Sequence, residues 1–427
     1  MSELKEKVHQ MRKASIELAS SEGEKRNAAL AAIKEALLSH REEIFSENEE
    51  DMRLAAENGV PEAVKKRLKF DEGKLTASTE GLDSLISLPD PLGKTELCRE
   101  LDEGLILRRV SCPIGVIGVI FEARPDALIQ ISSLCLKSGN AAVLKGGKET
   151  THTNRILFRL IREAAERAGL PEGCLLQAES HSEIDELLSC DKDVDLVIPR
   201  GSNAFVRYIM DHTRIPVLGH ADGICHIFVD RSADLDTAVK ILLDAKLQYT
   251  AACNAVETIL VHREIAKDFL PKLGEAMKKE GVVLRGVKEV TEMLPGVEEM
   301  GEEDYATEYL SLTASVKLVA GVEEAVEHIN RFGSHHTDAI LTKDDAAWEY
   351  FRQRVDSAGV YRNVSTRFSD GFRYGFGAEV GISTGKIHAR GPVGLHGLVT
   401  YKYLLEGEGQ IVADYSEGRK AFHFRDL

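Results

Sequence analysis

Along the first 75 or so residues apolar positions recur at helical spacing, Leu4, Val8, Met11 and Ile16, then Leu30, Ile33, Leu37 and Ile44, with lysine and glutamate between them. This opening is predicted to be helical and to carry no chemistry. At residues 103–120, EGLILRRVSCPIGVIGVI, the pattern alternates and then becomes β-branched and glycine-punctuated, which reads as extended chain entering a buried strand. Short apolar runs follow at AAVL (141–144), DLVI (195–198), HIFV (226–229), ETILV (257–261), DAIL (338–341) and GVY (359–361), with amphipathic helical stretches between them. That alternation predicts an α/β protein with mostly parallel sheets.

A shift after Asp222 into a fresh set of helix and strand units places the main boundary there. The expected domains are 1–222, with a strand arm near 100–113, then 223–390, and a tail over 391–427. Residues 280–308, rich in Glu and Gly, read as a solvated loop and helix face. The tail sequence GLVTYKYLLEGEGQIVADY reads as a closing strand pair.

Composition narrows the function classes. Lysine and arginine number 54 against 70 aspartate and glutamate, a net charge of −16, and the basic residues are dispersed, so a nucleic-acid-binding face is not expected. The longest apolar run, 112–121, is about ten residues against the roughly eighteen a membrane span needs. The charged N-terminal sequence lacks the apolar core of a signal peptide, and a cytoplasmic location is expected. Seven cysteines, at 98, 112, 135, 174, 190, 225 and 253, never fall in a CxxC pair. A disulfide framework and a zinc knuckle are therefore not expected, and no metal is predicted; a single reactive thiol among buried ones fits.

Three clusters carry candidate chemistry. Cys253 lies in QYTAACNAVETILVH, on a turn of small residues before a β-branched run, where backbone amides favour a thiolate and stabilise an oxyanion. In LVIPRGSNAFVRYI (196–209) a strand ends and a Gly-Ser-Asn turn opens a helix that Ser202 or Asn203 can cap; such an N-terminus can hold a phosphate, and it equally suits an ordinary connection. VLKGGKET (143–150) ends a strand with Lys145, two glycines and Lys148, which can bind an anionic cofactor. Neither GxGxxG nor GxxxxGK[ST] is present.

The order of these pieces carries a resemblance. IGVIGVIFEARPDA (114–127), SGNAAVLKGGKE (138–149), LVIPRGSNAFV (196–206), VLGHADGICHIFVD (217–230), YTAACNAVETILVH (249–262), TEYL (307–310) and GFGAEVGISTGKIHARGPVG (375–394) are collinear with the aldehyde dehydrogenase superfamily, which the chain resembles over roughly residues 100–405. The resemblance implies a Rossmann-type cofactor domain, a second α/β domain carrying the catalytic cysteine, and a β tail used in oligomerisation. It implies an enzyme of proline biosynthesis that reduces L-glutamyl 5-phosphate to L-glutamate 5-semialdehyde and phosphate with NADPH, through a thioacyl intermediate on Cys253.

By the same resemblance, Val217 of VLGH stands where hydrolytic relatives carry the water-activating Glu of ELGG. The oxyanion Asn of the wider superfamily aligns with Ala123, so the oxyanion falls to backbone amides near Cys253, with Asn254 supplying one. Lys148 replaces the Glu of KPAE, and with Lys145 implies a preference for the 2′-phosphate of NADP. Glu308 matches the acid at the nicotinamide ribose, and Gly201 and Ser202 the turn at the pyrophosphate. For the substrate's amino-acid end the available groups are Arg124, Asp126, Ser365, Thr366, Arg367 and Arg373, with His335 and His336 as phosphate contacts. A homo-oligomer and a docking glutamate 5-kinase are the expected partners. The rival readings are a semialdehyde dehydrogenase that yields the free acid, and a scaffold that has lost activity.

Overall fold

The computed structural model describes residues 2–122, 124–180, 182–220 and 222–427. The chain forms two compact units, one of residues 1–219, 376–381 and 393–427 and one of residues 220–375 and 382–392. The division falls at 219/220, where the sequence suggested 222, and the C-terminal residues group with the first unit where a separate tail domain was expected. Strand pairing accounts for that grouping, as follows.

In the first unit, helices Glu3–Ala19, Gly23–Ser39, Arg41–Glu57, Glu62–Leu68 and Glu72–Ser87 precede the first strand. Strands β1 (Thr95–Asp102) and β2 (Leu105–Pro113) form an antiparallel hairpin. β3 (Val116–Phe121), β4 (Ala141–Lys145), β5 (Leu175–Ala178) and β6 (Leu196–Arg200) form a parallel sheet in the order β5-β4-β3-β6, with helices Pro125–Lys137, Thr151–Arg167 and Asn203–Asp211 as connections and exit. The chain winds outward from β3 to β5 and then returns to β6 on the other side of β3. The carboxyl ends of β3 and β6 therefore flank a topological switch point, the place where open α/β sheets bind ligands.

The second unit contains β7 (Cys225–Val229), β8 (Val256–His262), β9 (Val283–Gly286), β10 (Glu298–Glu299), β11 (Thr313–Val319), β12 (Thr337–Leu341) and β13 (Gly359–Arg362), all parallel in the order β10-β9-β11-β8-β7-β12-β13. Successive side chains alternate between two dry layers. Ile227, Ile259, Val261 and Val316 pack with Phe269, Leu270 and Leu273 of helix Ala266–Lys279, whereas Phe228, Leu260, Val319 and Ile340 pack with Val326, Ile329 and Phe351. Covering both faces is what makes these strands read as continuous apolar runs, and burying a side chain such as Phe269 contributes about 1.5 to 3 kcal/mol.

Two expectations need correction. Residues 280–308 are not only loop and helix: β9 and β10 join the sheet there, too short for a periodic signal. The tail strands do not pair with each other either. After a short pairing of β14 (Gly381–Ser383) with β15 (Gly391–Val393), β16 (Val399–Glu406) pairs with β2 and β17 (Arg425–Asp426) with β1, on the two edges of the hairpin. IVADY instead contributes to the short helix Val412–Ser416, with Gln410 donating to the Glu103 carbonyl. Among the described residues no helix is long and apolar enough to cross a membrane.

Candidate active site

Cys253 stands on a turn just before β8. The Ala255 N–H donates to the Ala252 carbonyl at 2.9 Å, which folds the small residues of TAACNA tightly enough to hold the thiol at the amino edge of the sheet. Two neighbours fix this turn. The thiol of Cys225, at the start of β7, donates to the Cys253 carbonyl at 3.3 Å. Gly223 lies so close that a Cβ there would overlap the Cys253 backbone, so only glycine permits the approach.

The Cys253 sulfur lies 3.2 Å from Nε2 of His336, which ends the loop before β12 and is fully buried. Nδ1 of His336 lies 2.9 Å from the Thr337 hydroxyl. With that hydroxyl accepting from Nδ1–H, Nε2 carries the lone pair toward the thiol and can take its proton. His220 joins from the loop before β7; one ligand atom each from His220, Cys253 and His336 lie within 4.8 Å of one another. Among the other cysteines, burial pushes the thiols of Cys135 and Cys174 up to about 12 and raises those of Cys112, Cys190 and Cys225, which suits them to packing rather than nucleophilic attack.

Asn254 is buried, and its side-chain amide donates to the Ser369 carbonyl at 2.7 Å, so what it can offer a developing oxyanion is its backbone N–H. That bond ties the cysteine turn to the loop 365–373. There Arg367 is buried with Nε donating to Gln248 at 2.8 Å; burial and Arg373 hold its guanidinium below the usual arginine range, while the charge on Cys253 acts in the opposite direction. Arg373 donates to the Arg367 carbonyl at 3.1 Å and pairs with Asp370. The Ser365 hydroxyl accepts from the Arg367 N–H, and the buried Thr366 hydroxyl has no partner among the described residues. His335 donates from Nδ1 to the Asp356 carbonyl at 2.6 Å.

Glu308 is half-buried beside an ion pair that the sequence reading missed. Lys246 and Glu257 are both fully buried, 2.7 Å apart. Desolvation lowers the lysine and raises the glutamate to about 7; the charge of Glu308 adds to the rise of the glutamate and opposes the fall of the lysine. Glu257 also accepts from the N–H of Leu310, whose φ of 52° is uncommon for a branched residue. The pair therefore anchors the strained loop that bears Glu308. Its signal in the sequence was a glutamate inside the apolar run of β8.

The remaining candidates lie in the first unit. Gly201 and Ser202 follow β6 at the switch point. Ser202 occupies the N-cap position without a side-chain capping bond, contrary to expectation; instead its N–H donates at 2.9 Å to the carboxylate of Glu122, which follows β3. A Cβ on Gly201 would meet the same carboxylate. Lys145 ends β4 as a buried ammonium, held below the usual lysine range by burial and donating to the Gly146 carbonyl at 2.5 Å; Lys148 is exposed. Asp126 pairs with Lys74 at 2.8 Å through one oxygen, and Arg124 is exposed at the N-cap of helix Pro125–Lys137. Val217 is half-buried and bridges to Val197. Ala123 lies outside the described residues.

This arrangement agrees with the comparisons. The aldehyde dehydrogenase family model matches residues 1–312. The gamma-glutamyl phosphate reductase of Pelotomaculum thermopropionicum is 55% identical over 425 residues, 100% of this chain and 98% of the relative, and that of Acetivibrio thermocellus is 54% identical over 98% and 97% of the two chains. The crystal structure of gamma-glutamyl phosphate reductase from Thermotoga maritima superposes with a TM-score of 0.94 at 40% identity, covering 96% of this chain and 100% of that one. A cysteine-bearing turn before a central parallel strand, an open α/β sheet with a switch point and relatives alike over their full length lead to one assignment: the chain belongs to the aldehyde dehydrogenase family.

Proposed function

We propose that the chain reduces L-glutamyl 5-phosphate to L-glutamate 5-semialdehyde and phosphate with NADPH, in the cytoplasm, as a step of proline biosynthesis. The activity is the one named in its relatives at 50 to 55% identity, and the observation that carries the mechanism is the Cys253 sulfur 3.2 Å from a buried, oriented imidazole.

His336 takes the proton of Cys253, and the thiolate attacks the acyl carbon. The carbon–oxygen bond to phosphate breaks, phosphate leaves with the electron pair, and a thioester remains on the sulfur. The N–H groups of the cysteine turn stabilise the oxyanion in this step. When bound, NADPH supplies a hydride to the thioester carbon, and the carbon–sulfur bond breaks to return the thiolate. Arg367 and Arg373 hold the substrate's carboxylate, and Arg124 and Asp126 are the first unit's candidates for substrate recognition.

Family members use NAD(P), and the chain's own residues fit such a group. The Ser202 N–H already holds a carboxylate, the interaction a pyrophosphate oxygen would take over from Glu122. Lys148 is exposed beside the end of β4, where with Lys145 it would pair with a 2′-phosphate, and Glu308 would accept from the nicotinamide ribose. Val217, a half-buried aliphatic side chain, cannot activate water, so the thioester waits for hydride or phosphate. A homo-oligomer and a docked glutamate 5-kinase, which would deliver the labile acyl phosphate directly, complete the proposal.

The test runs the reaction backwards. Phosphate-dependent formation of NADPH from glutamate semialdehyde and NADP⁺ supports the reading. Phosphate-independent formation of free glutamate supports the hydrolytic rival, and no turnover at all supports the scaffold.

A further inference from the structure

We infer that the cysteine pocket is also a regulatory binding site for zinc, with Cys253, His220 and His336 as its three protein ligands. One ligand atom from each lies within 4.8 Å of the others, and the Cys253–His336 pair is already at 3.2 Å. Tetrahedral zinc places sulfur and nitrogen ligands about 3.4 to 3.6 Å apart, so small rotations of side chains complete the triangle and leave a fourth position for water.

The second observation is the outer bonding of the two imidazoles. Nδ1 of His220 lies 2.9 Å from the Ile382 carbonyl, which can only accept, and Nδ1 of His336 lies 2.9 Å from the Thr337 hydroxyl. The carbonyl fixes the proton of His220 on Nδ1 and leaves a lone pair on its Nε2, and with the Thr337 hydroxyl accepting from Nδ1–H the same holds for His336. Backbone carbonyls and hydroxyls fix zinc-ligating histidines in the same way. One sulfur and two imidazole nitrogens select a borderline cation such as Zn²⁺ over Mg²⁺ or Ca²⁺, which require oxygen donors. The charge of Arg367 also reaches this sulfur and opposes a dication, so binding must draw on both histidines as well as the thiolate.

A bound zinc ion takes the sulfur lone pair that attacks the substrate. Zinc binding itself stands on the geometry; its inhibitory effect rests on the proposed role of Cys253.

Calorimetric titration of the full-length protein with Zn²⁺, and spectroscopic titration with Co²⁺, test the site without turnover. The expected result is one metal per chain, a thiolate-to-cobalt charge-transfer band, and at least about tenfold weaker binding for each of Cys253→Ala, His220→Ala and His336→Gln. Circular dichroism confirms that each variant is folded. Cys98→Ser and Cys112→Ser, on the half-buried thiols of β1 and β2, are expected to bind as the parent does. Retained affinity in both histidine variants, or loss of binding in either control, would overturn the site. Zinc should also inhibit reduction reversibly, with activity restored by a chelator. Metal binding without inhibition would leave the zinc site standing and count against Cys253 as the nucleophile, whereas an inactive Cys253→Ala together with a parent that binds no metal would do the reverse.

Discussion

The two units put their chemistry at opposite edges of their sheets. In the first, the candidate residues follow the carboxyl ends of β3, β4 and β6, and an anionic oxygen is met by backbone: the Ser202 N–H holds the Glu122 carboxylate beside a glycine whose Cβ would crowd that carboxylate. In the second, Cys253, His220 and His336 precede the amino ends of β8, β7 and β12, and side chains meet side chains. A backbone site needs little beneath it. The side-chain site rests on buried polar groups: Glu257, His226 and Asp338 at the starts of otherwise apolar strands, with Glu257 paired to Lys246 of helix Leu235–Leu247 and His226 bonded to Asp338 at 2.9 Å. Substitutions in the second unit should therefore abolish chemistry or stability, and those in the first should retune coenzyme choice.

The largest expected effect is at the nucleophile. Cys253→Ala should lower reduction by at least about 10⁴-fold with the fold intact, and appreciable turnover would end the covalent mechanism. His336→Gln keeps the volume and removes the base; a loss of about 10²-fold in kcat, recovered in part as pH rises, would mark it as the proton acceptor. Removing Glu257 strands a buried ammonium, so Glu257→Leu should cost about 3 to 5 kcal/mol in denaturant unfolding, whereas adding Lys246→Met should recover much of that loss.

Smaller effects come next. His328 packs against His226, Tyr305 and Phe332, and burial lowers it to about 2. Its folded value lies below the unfolded value near 6.5, so stability is full above pH 6.5 and falls as acid charges the unfolded chain. Between pH 6.5 and 5 the parent should lose about 2 kcal/mol more than His328→Phe. In the first unit, Lys148→Glu should shift the NADPH over NADH preference by roughly tenfold while leaving stability alone. An unchanged ratio would mean the 2′-phosphate is held elsewhere.

Periodicity alone yielded the N-terminal helices and the long strands, because both faces of the central sheets are dry. It missed β9 and β10, which are too short to show a period, and paired the tail strands with each other because nothing local says that β2 and β1 will take them. Cys253, Glu308 and the Gly-Ser turn were legible as ordered motifs. The His336–Cys253 contact joins residues 83 positions apart, and Lys246–Glu257 crosses from a helix to a strand; neither leaves a local pattern. A glutamate within ETILV and the doubled histidine before DAIL were the signals available.

The central claim is that the acyl group rests on Cys253 as a thioester that water does not release. Its most direct test is to mix the protein with glutamate semialdehyde and NADP⁺ in phosphate-free buffer, while following NADPH and the intact mass of the chain. The account predicts at most one burst of NADPH per active site, a glutamyl adduct that maps to Cys253, and steady turnover once phosphate is added. Steady NADPH formation without phosphate, accompanied by free glutamate, would contradict it.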